Sequence, residues 1–175
     1  MKVIDTCLPG VRIIEPQVHA DSRGLFAELF SEQRYRDEAG IDQPFVQDNL
    51  SRSHQGVLRG MHYQRQRPQG KLVQVLAGSV FDVAADINPA SPTYGQTVAL
   101  ELSGENHRQL WIPPGYAHGF CVTSETALLH YKCTDYYRPQ DEAGVAWNCP
   151  VLAITWPIKQ PALSDKDQQL KPLSP

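Results

Sequence analysis

The sequence predicts an all-β fold, a double-sheet jelly roll, from three observations. Apolar and polar side chains alternate along many short segments, the period of two that belongs to β-strands. Twelve glycines and fourteen prolines are spread along the chain and interrupt it at close intervals, as the turns of a sandwich or barrel require. Helix signals are confined to one segment near Tyr35 and a short stretch before the C-terminus. A length of 175 residues suits one domain covering 1–175.

Residues 11–14 and 25–30 are the first strand candidates. A helix is expected over 31–39, capped by Ser31 and stopped by Gly40. Strands are expected again at 46–51, 57–63 and 71–76, with Ala77-Gly78 as a tight turn into 79–88. In that segment Phe81, Val83, Ala85 and Ile87 share one parity, while Asp82 and Asp86 take the other. This pattern reads as a half-buried strand. Val98, Leu100 and Leu102 alternate before the turn Ser103-Gly104-Glu105-Asn106. Residues 108–112, 119–123, 127–134 and 145–147 complete the strand candidates. Beyond Trp156 the chain is Pro-rich and polar, and 164–170 reads either as a short turn or helix or as part of a disordered tail.

Composition narrows the function. Sixteen Lys and Arg against nineteen Asp and Glu give a net charge of −3, with no basic field to hold nucleic acid. No apolar run approaches the roughly 20 residues of a membrane span, and the start, MKVIDTCLPG, lacks the apolar core of a signal peptide. A cytoplasmic protein is expected. Cys7, Cys121, Cys133 and Cys149 form no C-x-x-C pair and read as scattered reduced thiols.

Three segments concentrate ionisable groups. Residues 56–64, GVLRGMHYQ, put Arg59 and His62 into an otherwise apolar strand. A lone strand histidine is ordinarily structural, but an arginine beside it favours a polar cavity, because buried charges need partners. The two have opposite strand parity. Either Gly60 marks a bulge that re-aims one side chain, or Arg59 acts from a neighbouring subunit. Residues 108–120 contain the rigid turn Pro113-Pro114-Gly115, and His118 opens the next strand unless it is a solvent-facing turn residue. In 129–137, parity groups Tyr131 with Leu129 and Cys133, opposite His130 and Lys132. Such a tyrosine either packs and bonds its hydroxyl or supplies a proton to a carbanion.

A jelly-roll metal site commonly uses a His-x-His pair, a glutamate a few residues on, and a later histidine. Here Gln64 stands at the second histidine position and no glutamate follows before Gly78. His62 and His118 alone are too few ligands. No metal and no cofactor are expected, which leaves His62 for proton transfer near neutral pH.

Together these segments resemble the dTDP-4-dehydrorhamnose 3,5-epimerase family, sugar-nucleotide enzymes on the cupin jelly roll. The resemblance runs over nearly the whole chain. It includes Asp21-Ser22-Arg23-Gly24 with Phe26 and Glu28, Gln47-Asp48-Asn49, residues 56–64 and Gln69-Gly70-Lys71-Leu72-Val73. It continues through 108–120 and 131–137 to Glu142, Trp147-Asn148 and the run LSDKD at 163–167.

The resemblance implies a cupin jelly-roll barrel with a few short peripheral helices. It implies conversion of dTDP-4-dehydro-6-deoxy-D-glucose to dTDP-4-dehydro-L-rhamnose by metal-free proton abstraction and opposite-face reprotonation at C3 and C5. In this pattern His62 is the base and Asp167 its dyad partner; spacing alone leaves Asp165 open, and the family pattern selects Asp167. Lys71 faces the keto oxygen and Tyr131 is the acid. Arg23, Glu28, Gln47, Asn49, Arg59, Lys71, His118, Glu142 and Lys166 match substrate-contact positions. Arg23 and Arg59 suit diphosphate oxygens through their planar forks. The family is generally dimeric, so a homodimer is expected. A 3- or 5-epimerase acting at a single carbon is compatible with the same residues. A non-catalytic sugar-nucleotide-binding cupin would be expected to lack His62 or Tyr131, and both are present.

Overall fold

The alternating segments pair into antiparallel sheets in the computed structural model, which describes residues 1–174. The first half of the chain forms β1 (Lys2–Asp5), β2 (Arg12–Glu15), β3 (Val18–Asp21), β4 (Gly24–Ala27), α1 (Glu32–Ala39), β5 (Gln47–His54) and β6 (Leu58–Gln64). Then follow β7 (Lys71–Ala77), β8 (Ser79–Asp86), β9 (Thr97–Ser103), β10 (Gln109–Ile112), β11 (Tyr116–Val122) and β12 (Thr126–Cys133). A short strand β13 (Glu142–Gly144) and helix α2 (Asp165–Gln168) close the series. One sheet has six strands in the order β1-β2-β10-β7-β12-β5, and the other has five in the order β13-β6-β11-β8-β9. This is the expected jelly roll.

The main core lies between the sheets, where Val73, Val75, Leu110 and Leu129 meet Val80, Ala84, Leu102 and Val122. Both outer faces are covered too. On the six-stranded sheet, Tyr35 and Ala39 of α1 pack over Ile14, Leu72 and Trp111. On the five-stranded sheet, Val145, Cys149 and Leu152 pack over Met61, Val83, Ala85 and Ala117. Burying one Val or Leu side chain contributes roughly 1.5–3 kcal/mol, so several anchors hold each covering segment.

That double covering corrects the half-buried reading of 79–88. Phe81, Val83 and Ala85 face the C-terminal segment, while Val80 and Ala84 face the core between the sheets. Asp82, on the second parity, is therefore inside, with 0% exposure. The last strand is also shifted, to Glu142–Gly144 from the expected 145–147. Val145 still exchanges backbone hydrogen bonds with Met61, but the chain then leaves the sheet. Ser31 occupies the N-cap of α1 without a side-chain cap bond; its carbonyl accepts the Tyr35 N–H instead. Gly40 ends the helix in the left-handed region at φ 60. The strand expected at 25–30 is half of a short hairpin, β3–β4, whose strands pair only with each other. The alternation missed the four-residue strands β1 and β3. The C-terminal segment orders as α2, where the Ser164 hydroxyl accepts the Asp167 N–H at 3.1 Å. No helix among the described residues is long and apolar enough to cross a membrane.

The parity conflict between Arg59 and His62 is resolved by a bulge. His62 lies opposite His118 and Arg59 opposite Phe120, so Gly60 and Met61 of β6 together oppose Gly119 of β11. Gly60 sits at this irregularity with φ +131, and a Cβ there would stand 2.5 Å from the Cα of Gly119. Neither backbone can yield without separating the strands. Gly60→Ala is expected to lower stability by about 3 kcal/mol, read as a lower denaturation midpoint in urea. An unchanged midpoint would show that the two strands tolerate a wider approach.

Candidate active site

A cavity of about 350 Å³ opens between the sheets, with Gln47, Asn49, His62, Lys71, Tyr131 and Glu142 among its lining. A recess of about 200 Å³ shares His62, Lys71 and Tyr131 and adds Ser51, Arg59 and His118. Two strand sets aim these side chains at one another. Gln47, Asn49 and Ser51 of β5, Lys71 of β7 and Tyr131 of β12 come from the six-stranded sheet. Arg59 and His62 of β6, His118 of β11 and Glu142 of β13 come from the five-stranded sheet. His62 and Tyr131 therefore approach the space from opposite walls.

Asp167 reaches His62 because Ser164 starts α2 and turns the carboxylate back toward β6. The His62 Nε2–H donates to Asp167 Oδ1 at 2.6 Å, while Asp165 is exposed. Burial pushes the Asp167 carboxyl up, but bonds from the His62 ring, the Gly60 N–H and the Ser164 hydroxyl outweigh it. The net direction is below the ordinary 3.8, so Asp167 stays a carboxylate at neutral pH. A fixed carboxylate sets the ring's tautomer and orientation.

A second pair sits deeper. The His118 Nε2–H is shared between both Asp82 oxygens, at 3.1 and 3.0 Å, and both residues are buried. Sequence reasoning missed Asp82. The signal was present: Val80, Val83, Ala84 and Ala85 make a nearly continuous apolar run, which marks a strand covered on both faces. An aspartate within such a strand needs an internal partner.

Lys71 reaches the cavity from the start of β7. Burial holds its ammonium below the ordinary 10.5, against the opposing pull of Cys133, Asp82 and Glu142. Among the described residues no carboxylate lies within ion-pair distance of it. Burial pushes the Tyr131 hydroxyl above its ordinary 10.0, so the phenol keeps its proton at neutral pH. Arg59 donates to the Ser53 hydroxyl at 3.1 Å and lines the inner recess of its own chain, as the bulge alternative requires. Gln47 donates to Asn49 at 2.9 Å along the inner face of β5. Glu142 accepts from both the Tyr137 hydroxyl and the Lys166 ammonium at the rim.

Two expected contacts do not reach the cavity of their own chain. Arg23 is 88% exposed and pairs with Asp21 at 2.6 Å, while Glu28 pairs with Arg34 at 2.9 Å. Arg23 lies in the turn of the β3–β4 hairpin, Glu28 follows it, and no ladder ties that hairpin to either large sheet. Tyr63, Gln64, Gln69 and Tyr137 line the cavity without having been expected there. They belong to the segments 56–64, 69–73 and 131–137 already singled out, but no charge marked them. Among the described residues, no group of three or more His, Cys, Asp or Glu is placed to hold a metal ion.

Residues 5–175 match the sequence profile of dTDP-4-dehydrorhamnose 3,5-epimerase. The chain is 50% identical over 168 residues to the Neisseria gonorrhoeae protein of that name, covering 95% of this chain and 51% of that one. It thus spans about half of that relative's length. The Salmonella typhimurium protein of the same name is 51% identical over 169 residues, covering 95% of this chain and 92% of that one. A crystal structure of a 3,5-epimerase from Legionella pneumophila, in complex with dTDP-4-keto-L-rhamnose, superposes with a TM-score of 0.95 at 55% identity. That match covers 98% of this chain and 92% of the other. A paired histidine and carboxylate facing a protonated tyrosine across a jelly-roll cavity thus coincides with a match over almost every residue, and the chain belongs to the dTDP-4-dehydrorhamnose 3,5-epimerase family.

Proposed function

We propose that this chain is an epimerase converting dTDP-4-dehydro-6-deoxy-D-glucose to dTDP-4-dehydro-L-rhamnose by acid/base chemistry at C3 and C5. The observation that carries the reading is the placement of His62 with Asp167 on one wall and Tyr131 on the other, with Lys71 on the same cavity. A 4-keto group acidifies the hydrogens on both flanking carbons. With Nε2 bonded to Asp167, Nδ1 of His62 is the nitrogen that takes the proton. Lys71 faces the oxygen that gains charge in the enolate, where a fixed cation in a water-poor site stabilises most. Tyr131 returns a proton to the other face, and inversion results. One base and one acid serve the two carbons in turn.

Gln47, Asn49, Arg59, His118, Glu142 and Lys166 bind the substrate in this reading, and local cations offset the overall acidic charge. Arg23 and Glu28 complete the site from a second copy of the chain. The support for a homodimer is the β3–β4 hairpin itself, which presents Leu25 and Phe26 at 59% and 69% exposure beside Arg23. Large apolar side chains clustered on a surface mark an interaction site.

The test is to incubate the protein with dTDP-4-keto-6-deoxyglucose in heavy water and follow the sugar protons by NMR. Deuterium at both C3 and C5 with inversion is expected. Deuterium at one carbon would make it a single-position epimerase, and none would make it a binding protein.

The role of Lys71 carries its own pH signature. The charged form is needed, and burial has moved its proton loss downward. The alkaline fall of kcat/KM, which reports the free enzyme, is therefore expected below pH 10.5, the ordinary lysine value. Deprotonation of Tyr131 lies above 10.0 because burial moves it the other way. A rate that holds beyond pH 10.5 would remove the charged lysine from the mechanism.

A further inference from the structure

Gln64 has no part in the chemistry above, yet it is a polar side chain at 5% exposure on the cavity wall. Its amide makes three hydrogen bonds, all to backbone. Nε2 donates to the Arg67 carbonyl at 2.8 Å and to the Tyr136 carbonyl at 3.4 Å. Oε1 accepts the Arg138 N–H at 2.6 Å. Arg67 belongs to the loop entering β7, and Tyr136 and Arg138 flank Tyr137 in the loop leaving β12. One amide thus joins both loops at the cavity mouth and grips the chain on either side of Tyr137.

Tyr137 is held at two further points. Its N–H donates to Gln47 Oε1 at 2.9 Å, and its hydroxyl donates to Glu142. Glu142 is the cross-strand partner of Gln64 in the β13–β6 ladder. A loop tyrosine fixed through both neighbours, its own amide and its hydroxyl is a preformed wall. Tyr137 lines the outer cavity, which it shares with His62, Lys71 and Tyr131, but not the inner recess where those three meet Ser51, Arg59 and His118. Only a carboxamide supplies two donors and an acceptor here.

We propose that Gln64 is a positioning residue, which holds Tyr137 as a preordered wall of the outer cavity so that binding a nucleotide sugar does not have to order the loop. The inference rests on the substrate reading given above. Ordering a loop on binding weakens affinity, while neither Gln64 nor Tyr137 hydrogen-bonds His62, Lys71 or Tyr131.

Gln64→Leu is expected to raise KM for the dTDP-keto sugar, and Kd for dTDP by calorimetry, about tenfold. Deuterium exchange at saturating substrate should change less than threefold. In a Tyr137→Ala background the wall is already gone, and Gln64→Leu should then raise Kd less than twofold further. Gln64→Glu keeps the acceptor for Arg138 but sets a carboxylate against two carbonyls, so it should behave like Gln64→Leu. It serves for the cycle if the leucine variant does not fold. A purely structural role would lower the melting temperature and leave KM and Kd unchanged at matched folded fraction. That result, or independent multiplication of the two substitutions, overturns the proposal. If the unaltered protein binds dTDP but does not turn over the keto sugar, the substrate reading fails, and the dTDP cycle still decides the role of Gln64.

Discussion

His62→Ala should stop deuterium from entering at both C3 and C5, a loss on the order of 10²–10⁴-fold, while dTDP still binds. One imidazole is asked to deprotonate both carbons, so both exchanges should fall together. The substitution also strands Asp167. With the ring gone, the bonds that lower its carboxyl weaken, and the upward push of burial remains. That would make it a stronger base, but its place, behind the ring at 4% exposure, keeps it from replacing the histidine efficiently. Carbon-specific NMR in heavy water reads the outcome. Normal exchange at C3 with loss at C5 would mean two bases, and normal exchange at both would assign the role to another residue.

Tyr131→Phe should separate exchange from inversion. Epimerisation removes a proton from one face and delivers another to the opposite face. In the phenylalanine variant the ring still packs beside Leu129, but the donor is gone. His62 still forms the enolate, with Lys71 stabilising its oxygen. The same histidine then returns a proton, now a deuteron, to the face it came from. Deuterium should accumulate while the sugar largely keeps its starting configuration. If Tyr131 served packing alone, losing the hydroxyl would lower stability by about 1 kcal/mol and leave the ratio of inversion to exchange unchanged. An unchanged ratio at matched folded fraction would therefore assign the acid to another group; Tyr137 lines the same cavity.

Much of the barrel was legible because strand periodicity is local. Alternation located β5 to β12 within a few residues, and parity alone put Tyr131 with Leu129 and opposite His130. The segments around Arg59, His62, His118 and Tyr131 were legible for a different reason: ionisable groups within apolar strands stand out against their surroundings. The roles of His62, Lys71, Tyr131 and Asp167 were implied only by the resemblance to the family.

What alternation does not encode is which face of a strand is covered, and by what. Asp82 became internal only because the segment after β13 buries the other face of β8. The joint aim of Arg59 and His62 depends on a one-residue bulge, set by the close approach of Gly60 to Gly119. Periodicity counts residues and cannot register such an insertion until the partner strand is known. The choice of Asp167 over Asp165 follows from the direction in which α2 docks, two residues being opposite sides of one turn. Arg23 and Glu28 matched the family pattern, but a hairpin that pairs only with itself keeps them from their own chain's cavity. By itself the sequence determined most of the strands, through a period of two, and the ionisable groups that interrupt them, through side-chain type. Tertiary structure decided which of those groups meet, because burial and contact depend on packing between segments far apart in the chain.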